Sequence, residues 1–223
     1  MQTVKTSKGA ETRRSILAMA LQLFRERGYE KTTMRMVADA AGVTVSNVYY
    51  YFESKEHLVQ AFYDSTHVEH LAVCEPMLEN EAGLEKRLQI ALRTKIETAE
   101  PYHGFAGLLF KTAADPKSPL NPFSDASEDV RNRSTDLMAR IVDGSKARVP
   151  ADLRRELPGL LWLYQMAVIL FWIHDDSDGR RRTHRLIEKT AGLVTRLISI
   201  SSAKLMAPLR KSALGLIEDL RQP

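Results

Sequence analysis

The chain has 223 residues, 44% hydrophobic and 27% charged, a globular composition that excludes a wholly disordered or low-complexity protein. Lys and Arg number 32 against 28 Asp and Glu, a formal net charge of +4, which permits a nucleic-acid or acidic-surface partner without demanding one. The one cysteine, Cys74, excludes an internal disulfide framework and a cysteine-built zinc finger, so a reducing cytoplasm is the expected location.

Residues 1–9 are polar and basic with no apolar run behind them, so no signal peptide is expected. Helical periodicity dominates, and no segment alternates apolar and polar residues long enough for a half-buried strand. The fold class is therefore all-α. A first helix is predicted from Thr12, with Ile16, Ala20, Leu23 and Phe24 on one stripe and a stop at Gly28 after Arg27. Thr32 and Thr33 can cap a short second helix that runs to Ala41, Gly42 interrupts it, and a third helix follows over 45–51. Ser54 then offers its hydroxyl to a fourth helix carrying Leu58, Val59 and Phe62.

Longer helical patterns follow over 84–98 and 102–114. Pro116, Pro119 and Pro122 mark 115–124 as a surface loop. Val130, Leu137, Met138 and Ile141 carry the next helix, and Pro158 opens or kinks the one after it. Residues 160–173 are apolar on every side, broken only by Gln165. A bilayer span needs roughly 20 residues, so this run is read as a helix buried on more than one face, with no membrane partner. Leu186, Thr190, Leu193, Val194 and Leu197 form one stripe of a following helix, and Leu205, Leu209, Leu216, Ile217 and Leu220 mark a last one.

Residues 33–52 carry the most specific pattern. Ala38 is small enough for a second helix to cross it, Gly42 admits a left-handed turn, and Val43 and Val48 bury two helices against each other. Such a helix-turn-helix projects its second helix toward a DNA major groove while the first crosses the backbone. The flanking residues Gly28-Tyr29-Glu30-Lys31-Thr32-Thr33, Val48-Tyr49-Tyr50-Tyr51-Phe52 and Ser54-Lys55-Glu56-His57-Leu58 strengthen the pattern. With Phe24 and Arg27, they make the segment resemble the DNA-binding domain of the tetracycline-repressor (TetR) family of bacterial regulators.

The resemblance implies a DNA-binding domain over 10–70, with its helix-turn-helix at 33–52, and a larger helical effector-binding and dimerisation domain over 71–223. It implies a recognition helix over 44–50, with Thr44, Val45, Asn47, Tyr49 and Tyr50 facing double-stranded operator DNA. Arg35 matches a position that reads a base edge in some relatives, Thr33 and Tyr51 match phosphate-contacting positions, and Lys55 matches a backbone-contacting lysine. Val45 departs from the pattern, since it can meet a thymine methyl but forms no hydrogen bond. Lys5, Lys8, Arg13 and Arg14 read equally as a solvated tail or as an arm that adds phosphate contacts.

In the second half, Tyr102, Phe105, Phe110, Met138, Trp162, Met166 and Phe171 suit a pocket for a small hydrophobic or aromatic effector, and equally suit a core. The resemblance implies a homodimer built on two late helices, with Leu161, Val168, Trp172, Leu186, Leu193 and Leu197 at the interface. Signatures for nucleotide binding, serine hydrolysis and zinc proteolysis are missing, so no enzyme activity and no cofactor is expected. His174 with Asp175 and Asp176, and His67 with His70, lack a clear third ligand, so no metal site is expected. The expected function is a ligand-responsive repressor acting as a homodimer on a palindromic operator. The alternative is a helical small-molecule-binding protein or enzyme that does not bind operator DNA.

Overall fold

The computed structural model describes residues 3–219, with nothing stated of the side chains of residues 3–7 or of Ile217. The Lys5 side chain and Leu220 therefore lie outside the described residues. Ten α-helices account for most of them: α1 Thr3–Arg27, α2 Met34–Ala41, α3 Val45–Tyr51, α4 Lys55–Leu78, α5 Leu84–Ala99, α6 His103–Ala113, α7 Glu128–Asp143, α8 Ala151–Ile173, α9 Arg181–Ser201 and α10 Ala207–Asp219. No strand occurs among the described residues.

Two start points differ from the sequence expectation. Helix α1 begins at Thr3 rather than Thr12, so Lys8, Arg13 and Arg14 stand on a helix and not on an extended tail. Helix α8 begins at Ala151, and Pro158 lies inside it. Proline removes one N–H donor and disfavours the preceding turn without excluding a helix that tertiary packing holds.

Two compact units form. One holds the chain up to Val68 together with Pro101–Arg131, and the other holds Glu69–Glu100 and the chain from Asn132 onward. The return of Pro101–Arg131 to the first unit has a packing cause. Phe105 on α6 stacks on Phe24 of α1, ring centres 5.6 Å apart with 8° between the planes, and meets Phe62 of α4 edge-on at 5.4 Å. Phe24 and Phe105 are both completely buried, and Leu109 and Leu120 join the same core. The proline segment is tied down by side chains: the Gln60 amide donates to the Pro119 carbonyl, and Arg131 donates to the carbonyls of Pro122 and Ser124.

The second unit closes over Leu84, Leu88 and Ala91 of α5, Leu137, Met138 and Ile141 of α7, and Leu157, Leu161 and Trp162 of α8. Arg87 is a buried cation within it. Its guanidinium donates to the Leu78 and Glu81 carbonyls at 2.7 Å each, to Ile141 at 2.9 Å and to Arg140 at 3.1 Å. These acceptors lie around the C-terminal ends of α4 and α7, where orphan carbonyls and the negative dipole end favour a cation. Gly144 follows directly, and any Cβ there would collide with the same guanidinium.

Helix α8 is long and apolar enough to cross a bilayer by length and composition. Leu153, Leu157, Leu161, Trp162, Val168 and Trp172 are nonetheless buried in the protein, as are the polar Glu156 and Gln165. That burial is the pattern of a packed core helix.

Candidate nucleic-acid interface

Helix α2 starts at Thr33, which has extended backbone and accepts the Met36 N–H on its hydroxyl. It stops at Gly42, with φ 65° and ψ 32°, a left-handed conformation that a Cβ resists. There the Val43 N–H donates to the Ala38 carbonyl at 3.0 Å. Thr44 repeats the Thr33 arrangement, its hydroxyl accepting the Asn47 N–H at 3.2 Å. Each cap of this kind is worth about 1 kcal/mol. Helix α3 has only 7 residues, too few to persist alone. Val48 and Phe52, both completely buried in the first core, hold it in place.

Seating Val48 inward turns its neighbours outward: Tyr49 is 50% and Tyr50 80% exposed. Thr44 is exposed, while Val45 and Asn47 are half-buried. On α2, Arg35 is exposed in the first turn, and Thr33 is exposed at the cap. Tyr51 is half-buried with its ring edge-on to Tyr50, centres 5.0 Å apart. Ser46, also exposed, was missed by the sequence reading. The signal was available, because Ser46 precedes Tyr49 and Tyr50 by three and four residues and so shares their helix face.

Lys55 is anchored rather than free. Its ammonium donates to the Tyr29 carbonyl at 3.0 Å and lies 4.5 Å from the centre of the Tyr29 ring. The Tyr29 hydroxyl in turn donates to Glu56 at 2.7 Å. Burial, with the Glu56 hydrogen bond and charge, pushes the Tyr29 hydroxyl well above its usual range, so it stays a donor. The outward set of hydroxyls, an amide and a guanidinium offers donors suited to phosphate oxygens and base edges, and a half-buried Val45 offers methyl contact.

The residues read as pocket or core fall in both units. Phe105 is completely buried in the first core, Tyr102 packs against that core, and Phe110 is exposed. Met138 and Trp162 are buried in the second core, Met166 packs against it, and Phe171 is exposed. A groove of about 810 Å³ in the second unit is lined by Glu85, Gln89, Arg93 and Glu97 of α5 and by Glu188, Gly192, Leu193 and Arg196 of α9. None of the seven aromatic and methionine residues expected to form a pocket lines it, and its walls are mostly charged.

Three of the positions expected at a subunit contact are not on the protomer surface. Leu161, Val168 and Trp172 are buried within the protomer itself, and the Trp172 indole N–H donates to Glu100 at 2.7 Å. The outward apolar residues of α8 are Leu163, Leu170 and Phe171. On α9, Leu193 and Leu197 are exposed as the stripe requires, Ile200 continues them, and Leu186 is half-buried. The His174-Asp175-Asp176 run also has a structural use: Asp175 accepts hydrogen bonds from Thr183 and Ser177 at the start of α9.

A family model described as "Bacterial regulatory proteins, tetR family" matches residues 16–62, and one described as "Tetracyclin repressor-like, C-terminal domain" matches residues 87–212. The chain is 43% identical over 60 residues to the HTH-type transcriptional regulator TtgR of Pseudomonas putida, covering 27% of this chain and 29% of that one. It is 36% identical over 84 residues to the HTH-type transcriptional repressor KstR2 of Rhodococcus jostii, covering 36% and 41% respectively. These matches thus span less than half the length of the curated relatives. In fold, it is similar to the transcriptional regulator FadR from Bacillus subtilis in complex with stearoyl-CoA, with TM-score 0.63, 14% identity, and coverage of 80% of this chain and 96% of that one. The two family models account for both the capped helix-turn-helix and the helical remainder, and the chain belongs to the TetR family of bacterial transcriptional regulators.

Proposed function

We propose that the protein is a ligand-responsive transcriptional repressor that binds a palindromic operator as a homodimer. The observation that carries this reading is the geometry of α3: Val48 and Phe52 are locked in the core while Tyr49 and Tyr50 project into solvent. A dimer offers two such helices to successive major grooves. The outward leucines of α8 and α9 supply its apolar contact. Thr33, Tyr51 and Lys55 act on phosphates, while Arg35, Thr44, Val45, Asn47, Tyr49 and Tyr50 meet base edges or the adjoining backbone. No membrane takes part.

An apolar effector then biases the dimer between a DNA-binding form and a released form, by no more than its difference in affinity for the two. The similar KstR2 is called a repressor, and the structure of FadR holds an acyl-CoA. The first supports repression, and the second supports control by a small molecule that carries an apolar chain. Helix α4 contributes residues to both units, which makes it the natural element for the response to travel along.

Operator binding by Arg35→Ala and Tyr49→Ala tests the reading. Losing a bidentate base contact at Arg35 costs about 1–3 kcal/mol and relaxes sequence preference. Tyr49→Ala weakens binding without unfolding the protein. Wild-type affinity in both variants would remove α2 and α3 from the interface.

A further inference from the structure

Helix α3 carries no charged side chain: Val45–Tyr51 reads Val-Ser-Asn-Val-Tyr-Tyr-Tyr. Duplex DNA presents one negative charge per about 1.7 Å of its axis, so phosphates must be neutralised by cations from elsewhere in the protein. Residues 16–60, which hold the helix-turn-helix, are balanced at five Lys and Arg against five Asp and Glu, and the Lys55 ammonium is already committed to the Tyr29 carbonyl. Residues 1–15 hold Lys5, Lys8, Arg13 and Arg14 against Glu11 alone. The positive excess of residues 1–60 thus lies entirely on the first turns of α1, ahead of residue 16, where the match to the DNA-binding family model begins.

Those turns touch the end of α3 within the first unit. A Cβ on Gly9 would stand 3.5 Å from the Tyr51 hydroxyl oxygen, so the phenol tip of Tyr51 rests against the α1 backbone there. One turn further on, the Arg13 guanidinium lies over the ring of Phe52, 4.8 Å from its centre, a cation–π distance. Gly9 and Arg13 are four residues apart and share the face of α1 that meets Tyr51 and Phe52. Lys8 adjoins Gly9 and is exposed, and the Thr12 hydroxyl donates to the Lys8 carbonyl at 2.9 Å. Among the described residues, neither Lys8 nor Arg13 forms an ion pair. Two unneutralised cations therefore stand on α1 just before and just after the point where Tyr51 touches it.

We propose that the first turns of α1 are a phosphate-binding element of the DNA interface, in which Lys8, Arg13 and the Tyr51 hydroxyl engage the duplex backbone beside the groove that α3 enters. Charge complementarity selects the partner, because this is the one basic surplus in residues 1–60 and it adjoins an uncharged reading helix. The Phe52 ring covers one face of the Arg13 guanidinium and leaves its N–H edges for phosphate oxygens. Backbone contacts of this kind fix position and carry no sequence information. Helix α1 then supplies affinity, while α2 and α3 supply sequence preference. The inference rests on the reading of the protein as a DNA-binding regulator, but it makes a separate prediction.

The test is the salt dependence of DNA binding by the full-length protein, read by fluorescence anisotropy on a mixed-sequence duplex of about three helical turns. Wild type is compared with Lys8→Gln, Arg13→Met, Tyr51→Phe and Lys117→Gln, the last of which removes the same charge from the proline segment. Lys8→Gln and Arg13→Met each lose one phosphate contact per protomer, so the fall of log affinity with log salt becomes shallower by about 0.9 for each protomer bound. Tyr51→Phe weakens binding without changing that slope, and Lys117→Gln keeps the wild-type slope. Lys8 is exposed and Arg13→Met keeps an apolar stem over Phe52, so melting temperatures close to wild type separate lost binding from lost folding. Wild-type slopes in both Lys8→Gln and Arg13→Met, or an equal reduction in Lys117→Gln, would overturn the proposal and leave DNA reading by α3 standing. No DNA binding by wild type at any salt would remove both.

Discussion

Asp175 is only 2% exposed, yet it functions as a carboxylate. Burial opposes its ionisation, and the hydrogen bonds from the Ser177 and Thr183 hydroxyls and N–H groups outweigh that effect, holding the carboxyl well below the usual aspartate range. A depressed folded value contributes stability that is complete above the unfolded value, near pH 4, and is lost as the pH falls through that range toward the folded one. Asp175→Asn should therefore lower the melting temperature at pH 7 while flattening its decline below pH 4, which a calorimetric pH series measures. An unchanged acid limb would mean that Asp175 does not carry this linkage. At this scale the sequence was legible where the chemistry is local: Thr33 and Ser54 cap helices as their spacing indicates. Arg87 gave no such signal, because it sits on a helix whose period marks its face as apolar and only its tertiary partners reveal its role.

Short elements flanked by capping residues and a glycine were readable in register, and α3 spans residues 45–51 as expected. Helix α8 was not. An apolar run without a polar face carries no phase, so the sequence could not separate Leu161, Val168 and Trp172, which face the protomer's core, from Leu163, Leu170 and Phe171, which face outward. Helix α9 has a polar side, and its stripe put the exposed Leu193 and Leu197 on the outer face. If those outer faces form the dimer, the double substitution Leu193→Glu with Leu197→Glu buries like charges across a two-fold interface and should yield a folded monomer at micromolar concentration. Sedimentation velocity with far-ultraviolet circular dichroism reads both properties. A dimer as tight as wild type would place the contact elsewhere.

Across the whole molecule, the division into units was the least legible feature. The sequence reading ended the first domain near residue 70, yet Pro101–Arg131 packs with the first unit, through aromatic contacts between Phe24, Phe62 and Phe105 that lie far apart in the chain and leave no periodic trace. The charge balance was more informative by region than in total, since residues 1–60 hold nine Lys and Arg against six Asp and Glu. That excess belongs to the segment carrying α2 and α3, and a protein that neutralises phosphates with it must bind DNA less tightly as salt rises.

The central claim is that α3 of a dimer reads a specific site. Selection of purified protein against a pool of random-sequence duplexes at physiological salt measures it directly, with Tyr49→Ala carried in parallel. Wild type should enrich one roughly palindromic sequence whose half-sites lie about one helical turn or a multiple of it apart, bound at least about a thousandfold more tightly than the unselected pool, and Tyr49→Ala should lose that enrichment. Failure of wild type to enrich any sequence, or equal enrichment by Tyr49→Ala, would contradict the account.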